Sequence, residues 1–182
     1  MYYRKNVYKR QCLLLHRCVL GTVRSMKKSV WLHNIRSVHN VGSIFRTADA
    51  VGIDHVYLSG YTPLPIDRFG RNRSDMHKIA LGAEQSLSWS QLKYIPGDII
   101  DLQQGGAQLV CVEQDSRSIQ YDAYTPDTTC TEIILAMGEE VNGFEENILD
   151  IADTIVEIPM RGEKESLNVS VAFGIVAYQM FK

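Results

Sequence analysis

The feature that most restricts this chain is a strand–helix–strand run near its start. Ser29–Ile35 (SVWLHNI) reads as a strand. Val41–Val51 reads as a helix that His39 or Asn40 can cap, because an Asn side chain accepts from the free N–H groups of a first turn. Gly52 ends that helix, and His55–Leu58 reads as a second strand. Two strands joined by a helix must lie parallel, and parallel strands are covered on both faces. Further strands are expected at Leu87–Trp89, Gln108–Glu113, Glu132–Met137 and Thr154–Ile158. Helices are expected at Asp75–Leu81, Asp98–Gln104, Gly143–Leu149 and Leu167–Phe181. The class is therefore α/β, a mostly parallel sheet flanked by helices.

The final helix adds a second restriction. Val169, Val171, Ala172, Phe173, Ile175, Val176, Ala177, Tyr178 and Met180 leave it apolar nearly all round. Such a helix is buried on more than one side, so it is expected to be covered by its own domain and by a second subunit.

Charge divides the 182 residues in two. Of 19 Lys and Arg, eight lie in residues 1–28, which hold no acid, so all 21 acids face the other 11 bases. Residues 1–28 are read as a basic, disordered extension, with an RNA-contacting arm or a targeting peptide as alternatives, and Met26 as a possible start. Residues 29–182 form the folded domain. No apolar run is long enough to span a bilayer. The four cysteines show no zinc-type spacing, the histidines are scattered, and no metal site is expected. A cytoplasmic protein with reduced thiols fits this usage.

In a parallel sheet, ligands sit beyond the C-terminal ends of the strands. The loops there are Arg36–Asn40, Ser59–Ser74, Gln114–Ser118, Gly138–Gly143 and Pro159–Ser166, and three clusters among or beside them carry unusual chemistry. The first is His39–Ala48, where Arg46 follows Asn40 by less than two helical turns. An Arg beside a crevice can grip a phosphate bidentately, or it can simply pair with Asp49. The second is Leu135–Phe144, a strand running into a glycine-bounded acidic turn around Glu139 and Glu140. Carboxylates there suit a ribose, an amine or a sulfonium, and no G-x-G-x-x-G or phosphate-loop pattern is present. The third is Ile158–Ser170. Ser166 is a good helix cap, and Asn168 and Ser170 are polar residues on an otherwise apolar helix, where buried polar groups need partners. Backbone groups at Ile158–Met160 and Ser166–Leu167 can read an adenine edge. The long loop Ser59–Ser74 carries Arg68, Arg71 and Arg73 as candidate phosphate contacts or as a solvated basic loop.

These three clusters, in this order, resemble motifs 1, 2 and 3 of the SpoU/TrmH family of SPOUT methyltransferases. The matching residues are Asn40…Arg46-Thr47-Ala48, Gly138…Glu140…Gly143, and Ile158-Pro159-Met160…Ser166-Leu167-Asn168-Val169-Ser170. Lys78–Glu84 is similar to the family's middle segment. The resemblance covers about Val30 to the last residue. It implies a C-terminal trefoil knot, a homodimer, and S-adenosylmethionine held by Gly138, Ile158 and Leu167, with Val112 and Met160 nearby. Asn40, Arg46, Glu140, Ser166 and Asn168 match its catalytic and substrate positions. The implied reaction is attack of an RNA ribose 2′-OH on the cofactor methyl, on tRNA rather than ribosomal RNA. Neither an N-terminal RNA-binding domain nor a C-terminal extension is expected. Arg46 would hold the adjacent phosphate and the developing alkoxide, and the base would be the phosphate, a water or a briefly neutral Arg46. A non-catalytic RNA-binding module is the alternative from another class.

Overall fold

The computed structural model describes residues 26–181. Seven strands pair in one wholly parallel sheet: β1 (Lys27–His33), β2 (His55–Ser59), β3 (Ser88–Leu92), β4 (Ala107–Val112), β5 (Ile119–Gln120), β6 (Glu132–Met137) and β7 (Thr154–Glu157). Their order across the sheet is β3-β2-β1-β6-β4-β7-β5. The helices among the described residues are α1 (Val38–Val51), α2 (Ser74–Ala80), α3 (Ala83–Ser86), α4 (Gly97–Gln104), α5 (Glu146–Leu149) and α6 (Val169–Met180). Residues 1–25, which hold most of the basic extension, lie outside the described residues. None of the described helices is long and apolar enough to cross a membrane.

The pleat explains the two cores. Along β1, Val30 and Leu32 turn to one face and Trp31 to the other. Along β6, whose EIILAM run is buried throughout, Ile133, Leu135 and Met137 separate in the same way from Ile134 and Ala136. The first face is covered by α1 and α6 through Phe45, Ala48, Phe173 and Val176. The second is covered by α4 and α5 through Ile99, Ile148 and Leu149. The chain winds outward through β1, β2 and β3, then returns to lay β4, β5, β6 and β7 on the other side of β1. Such a change of direction opens a crevice at the strand C-terminal ends.

Several local expectations are corrected. The cap of α1 is Ser37, whose hydroxyl accepts from Asn40 N at 3.3 Å. Asn40 therefore lies inside the first turn with its side chain free for other bonds. The cap of α6 is Asn168, which accepts from Ser170 N at 2.9 Å, and not Ser166. Neither Asn168, which is exposed, nor the half-buried Ser170 is the buried polar residue that the apolar pattern suggested. The helix expected from Gly143 starts only at Glu146, because the Glu113 carboxylate takes Phe144 N at 3.1 Å and holds that stretch in a turn. The last helix is not covered all round within one chain: Phe173 and Val176 are fully buried, while Val171 and Tyr178 stay 50% and 56% exposed. The short edge strand β5 carries no apolar alternation and was not expected.

Phe173 is fully buried where α6 meets the sheet. Phe173→Ala should lower unfolding free energy by about 3–5 kcal/mol, read as a shift in the urea midpoint without a change in slope.

Candidate active site

The loops leaving β4, β6 and β7 surround a cleft of about 340 Å3. Val112, Gly138, Ile158, Met160, Ser166 and Leu167 all lie on its wall, as does Glu140. The sheet register brings them together. Val112 and Met137 are paired on adjacent strands, and Val112 pairs on its other side with Val156, two residues before Ile158. The turn after β6 also separates this cleft from a smaller one of about 300 Å3 lined by Arg36, Ser37, Glu139, Glu140 and Val141.

One chain of hydrogen bonds ties the three clusters to each other. Glu140 Oε2 accepts from Arg36 N at 3.1 Å, and Oε1 accepts from Ser37 N at 3.4 Å and Asn40 Nδ2 at 3.1 Å. Asn40 Oδ1 accepts from Asn168 Nδ2 at 3.1 Å. Asn168 Oδ1 accepts from Ser170 N at 2.9 Å and Ser170 Oγ at 2.6 Å. The polarity of the chain follows from the carboxylate. Glu140 can only accept, so Asn40 must turn its amide toward it and its oxygen toward Asn168. Glu140 also sits where the first N–H groups of α1 emerge, a position that favours negative charge.

Burial alone would raise the Glu140 carboxyl, but the hydrogen bonds from Arg36, Asn40 and Ser37 outweigh it and hold the group below its ordinary value. Glu139 is also held low, first by the Asn142 amide and then by the Tyr61 hydroxyl. Both acids of the turn are thus engaged by the protein itself.

Glu113 is a site residue that motif reading passed over. Its carboxylate accepts from Phe144 N at 3.1 Å and Gln114 N at 2.9 Å. It fills the space beside Gly143, where a Cβ would lie 2.0 Å from Oε2, and Gly143 has a φ of +66°. The glycine admits a protein carboxylate here. Gly138 is equally constrained, since a Cβ would lie 2.9 Å from the Gly143 carbonyl carbon. Gln114 extends the link by donating to Glu165 O at 2.7 Å, joining the loop after β4 to the loop after β7. A signal for Glu113 existed: it ends a predicted strand at the ligand edge of a parallel sheet.

The arginines are placed differently. Arg46 is exposed on α1, forms no ion pair among the described residues, and does not line the cleft. Asp49, its expected partner in the plain surface reading, accepts instead from Ser86 Oγ at 3.1 Å. Arg71 pairs with Asp67 at 2.8 Å and Arg73 with Asp75 at 2.7 Å, so their charges are already matched. Arg68 lies over the Phe69 ring, 4.7 Å from its centroid.

A carboxyl lowered in the fold stabilises it above the ordinary carboxylate value and loses that contribution as pH falls through the lowered one. Glu140→Gln should therefore be less stable than the parent near neutral pH. Its urea midpoint should also fall less steeply between about pH 5 and 3. Parallel acid limbs would contradict this role for Glu140.

Comparisons with known proteins place the chain in a family. The model of the SpoU rRNA Methylase family matches residues 27–178. A tRNA (guanosine(18)-2′-O)-methyltransferase of Aquifex aeolicus is 30% identical over 82% of this chain and 66% of its own length. That of Escherichia coli K12 is 32% identical over 94% of this chain and 68% of its own. A 23S rRNA (guanosine-2′-O-)-methyltransferase of Ralstonia nicotianae is 31% identical over 81% of this chain and 55% of its own. The chain thus spans roughly half to two thirds of these relatives. Among solved structures, an AdoMet-bound rRNA methyltransferase from Sinorhizobium meliloti superposes with a TM-score of 0.74 at 26% identity, covering 85% of this chain and 56% of the other. The TrmH/SpoU tRNA modifying enzyme of A. aeolicus gives 0.70 at 26% identity, covering 86% and 74%. With the family's model matching from β1 into α6, and the three clusters joined by hydrogen bonds, this chain belongs to the SpoU rRNA methylase family.

Proposed function

We propose that this protein transfers a methyl group from S-adenosylmethionine to a ribose 2′-OH of RNA. The observation that carries the reading is the Glu140–Asn40–Asn168 chain, which ties the family's three motifs to one another beside a cleft that Glu140 lines. The cleft fits the cofactor in kind. Val112, Ile158, Met160 and Leu167 give it apolar walls for a purine, and Glu113, Glu157 and Glu165 give it acid for a cationic ligand. The loop brings its own donors: among the described residues, no backbone N–H from Arg161 to Leu167 is paired within the protein. S-adenosylmethionine, when bound, supplies a methyl group on a sulfonium, so no metal is needed to activate it.

The protein's part is to position the hydroxyl and stabilise charge on its oxygen. Asn40 and Asn168 are locked in one orientation by Glu140, so their amides need no reorganisation as charge develops. Arg46 lacks a carboxylate partner among the described residues and can therefore meet a phosphate of the substrate. A guanidinium stays protonated at neutral pH, so its role is to hold that phosphate and the developing alkoxide, while the proton leaves to the phosphate or a water. Ser166, exposed at the mouth of the cleft and not used as a cap, is available to the substrate.

Three finer points complete the reading. The half-exposed Val171 and Tyr178 on α6 suit coverage by a second copy, which makes the working form a homodimer. The chain leaves β7, runs through the cleft loop and returns to pack α6 on α1, a path that favours a trefoil knot. The tRNA-modifying relatives align over up to 94% of this chain and favour tRNA over ribosomal RNA as substrate. Such RNA meets the protein in the cytoplasm.

The test is transfer of labelled methyl from S-adenosylmethionine to a mixed tRNA fraction and to ribosomal RNA, with ribose methylation mapped by mass. Arg46→Ala should lose at least about 100-fold in turnover, while its calorimetric affinity for S-adenosylmethionine stays that of the parent. Undiminished transfer by Arg46→Ala would remove Arg46 from the reaction. Failure of the parent to bind the cofactor would leave a non-catalytic RNA-binding module.

A further inference from the structure

The loop between β2 and α2 holds a turn closed by a network of hydrogen bonds. Ile66 and Asn72 form an antiparallel bridge, and between them Asp67 organises the tip. Its backbone N–H donates to Arg71 O at 2.8 Å, and its carbonyl accepts from Gly70 N at 2.9 Å. Its Oδ1 accepts from Phe69 N at 2.8 Å and Arg71 N at 3.0 Å, and its Oδ2 accepts from Arg71 Nε at 2.8 Å. The product of this order is Phe69, held 65% exposed with two guanidiniums on its ring, Arg68 at 4.7 Å and Arg71 at 5.0 Å. Ordering a turn costs conformational entropy, and an aromatic ring held in water returns nothing against that cost. The ring is thus ordered and open to a partner.

The root of the loop joins it to the cleft. Tyr61 N donates to Asn34 Oδ1 at 3.3 Å, beside the end of β1. The Tyr61 hydroxyl helps hold down the pKa of Glu139, the acid next to Glu140 in the turn that lines the cleft. Thr62 Oγ1 donates to Leu32 O and accepts from Ile35 N, both at 3.1 Å.

We propose that Phe69 is a stacking platform for an unpaired nucleobase of the substrate RNA, with Arg68 taking a neighbouring phosphate. This rests on the methyltransferase reading and extends it to how RNA is held. A π-system that already carries two cations matches a base and its phosphates better than an apolar protein surface, which would not tolerate two buried guanidiniums. Asp67 matches the charge of Arg71, whereas Arg68 has no carboxylate partner among the described residues and is available to an anion. Stacking requires an unstacked base, so the platform selects RNA with a loop or splayed nucleotide over a continuous duplex.

The full chain, Phe69→Ala and Phe69→Trp should be compared for binding to a mixed tRNA fraction and for calorimetric binding of S-adenosylmethionine. Phe69→Ala should weaken RNA binding by about 5- to 150-fold, as loss of one stacked base does, with cofactor affinity and melting temperature unchanged. Phe69→Trp should bind RNA within about twofold of the parent, and its added indole emission should be quenched by RNA. If the parent methylates RNA and Phe69→Ala binds it equally well, the platform is refuted while the methyltransferase stands. If Phe69→Ala instead changes the sedimentation of the free protein, the ring contacts a second copy and the proposal falls. If the parent neither binds nor methylates RNA, the underlying reading fails and the platform fails with it.

Discussion

The Asn40 side chain is shared between two partners that both lie far along the chain from it. It donates to Glu140 and accepts from Asn168, 100 and 128 residues away in sequence. An amide has one donor side and one acceptor side, so this arrangement has a single polarity. Reversing any member would set two donors or two acceptors against each other. The three loops beyond β1, β6 and β7 are thus held in one relative position, and the turn after β6 that carries Glu140 forms part of the cleft wall. The rest of the site depends on that link.

The sheet makes the link possible. Parallel pairing of β1 with β6, and of β6 with β4, brings the C-terminal ends of these strands to one edge. The order of strands then puts β6 beside β1 although most of the domain separates them in sequence. Two separate cores clamp the sheet from both faces, so the edge that carries the loops is rigid. Rigid support matters for a weak nucleophile such as a hydroxyl, because misplaced dipoles stabilise little developing charge.

Carboxylates in this site act mainly on the protein itself. Glu140 binds the start of α1, Glu139 holds Asn142, and Glu113 takes up the room left by Gly143. Each acid fixes a backbone turn through N–H or amide donors. Glycine at 143 is thereby explained by protein packing at a positive φ. The arginines divide likewise. Arg71 and Arg73 are matched by nearby acids and stiffen their loop, while Arg46 and Arg68 are without such partners among the described residues.

The α/β class, the parallel sheet and nearly every element were legible in the chain, because apolar periodicity and glycine stops are local properties. The three clusters were legible as well, since each is a local run of about a dozen residues, and their order carried the family. What the sequence could not say is which polar atoms meet. It suggested Asn40 as a helix cap, Ser166 as the other cap, and Asn168 as a buried group in need of a partner. In the fold Ser37 takes the first cap and Asn168 the second. Asn40 and Asn168 then use their remaining atoms on each other. Glu113 was unmarked by any motif, because its partners at Gly143 and Phe144 lie some thirty residues on. Periodicity records which face of an element is buried. The pairing of donors and acceptors between distant loops is decided only when the sheet sets their strands side by side.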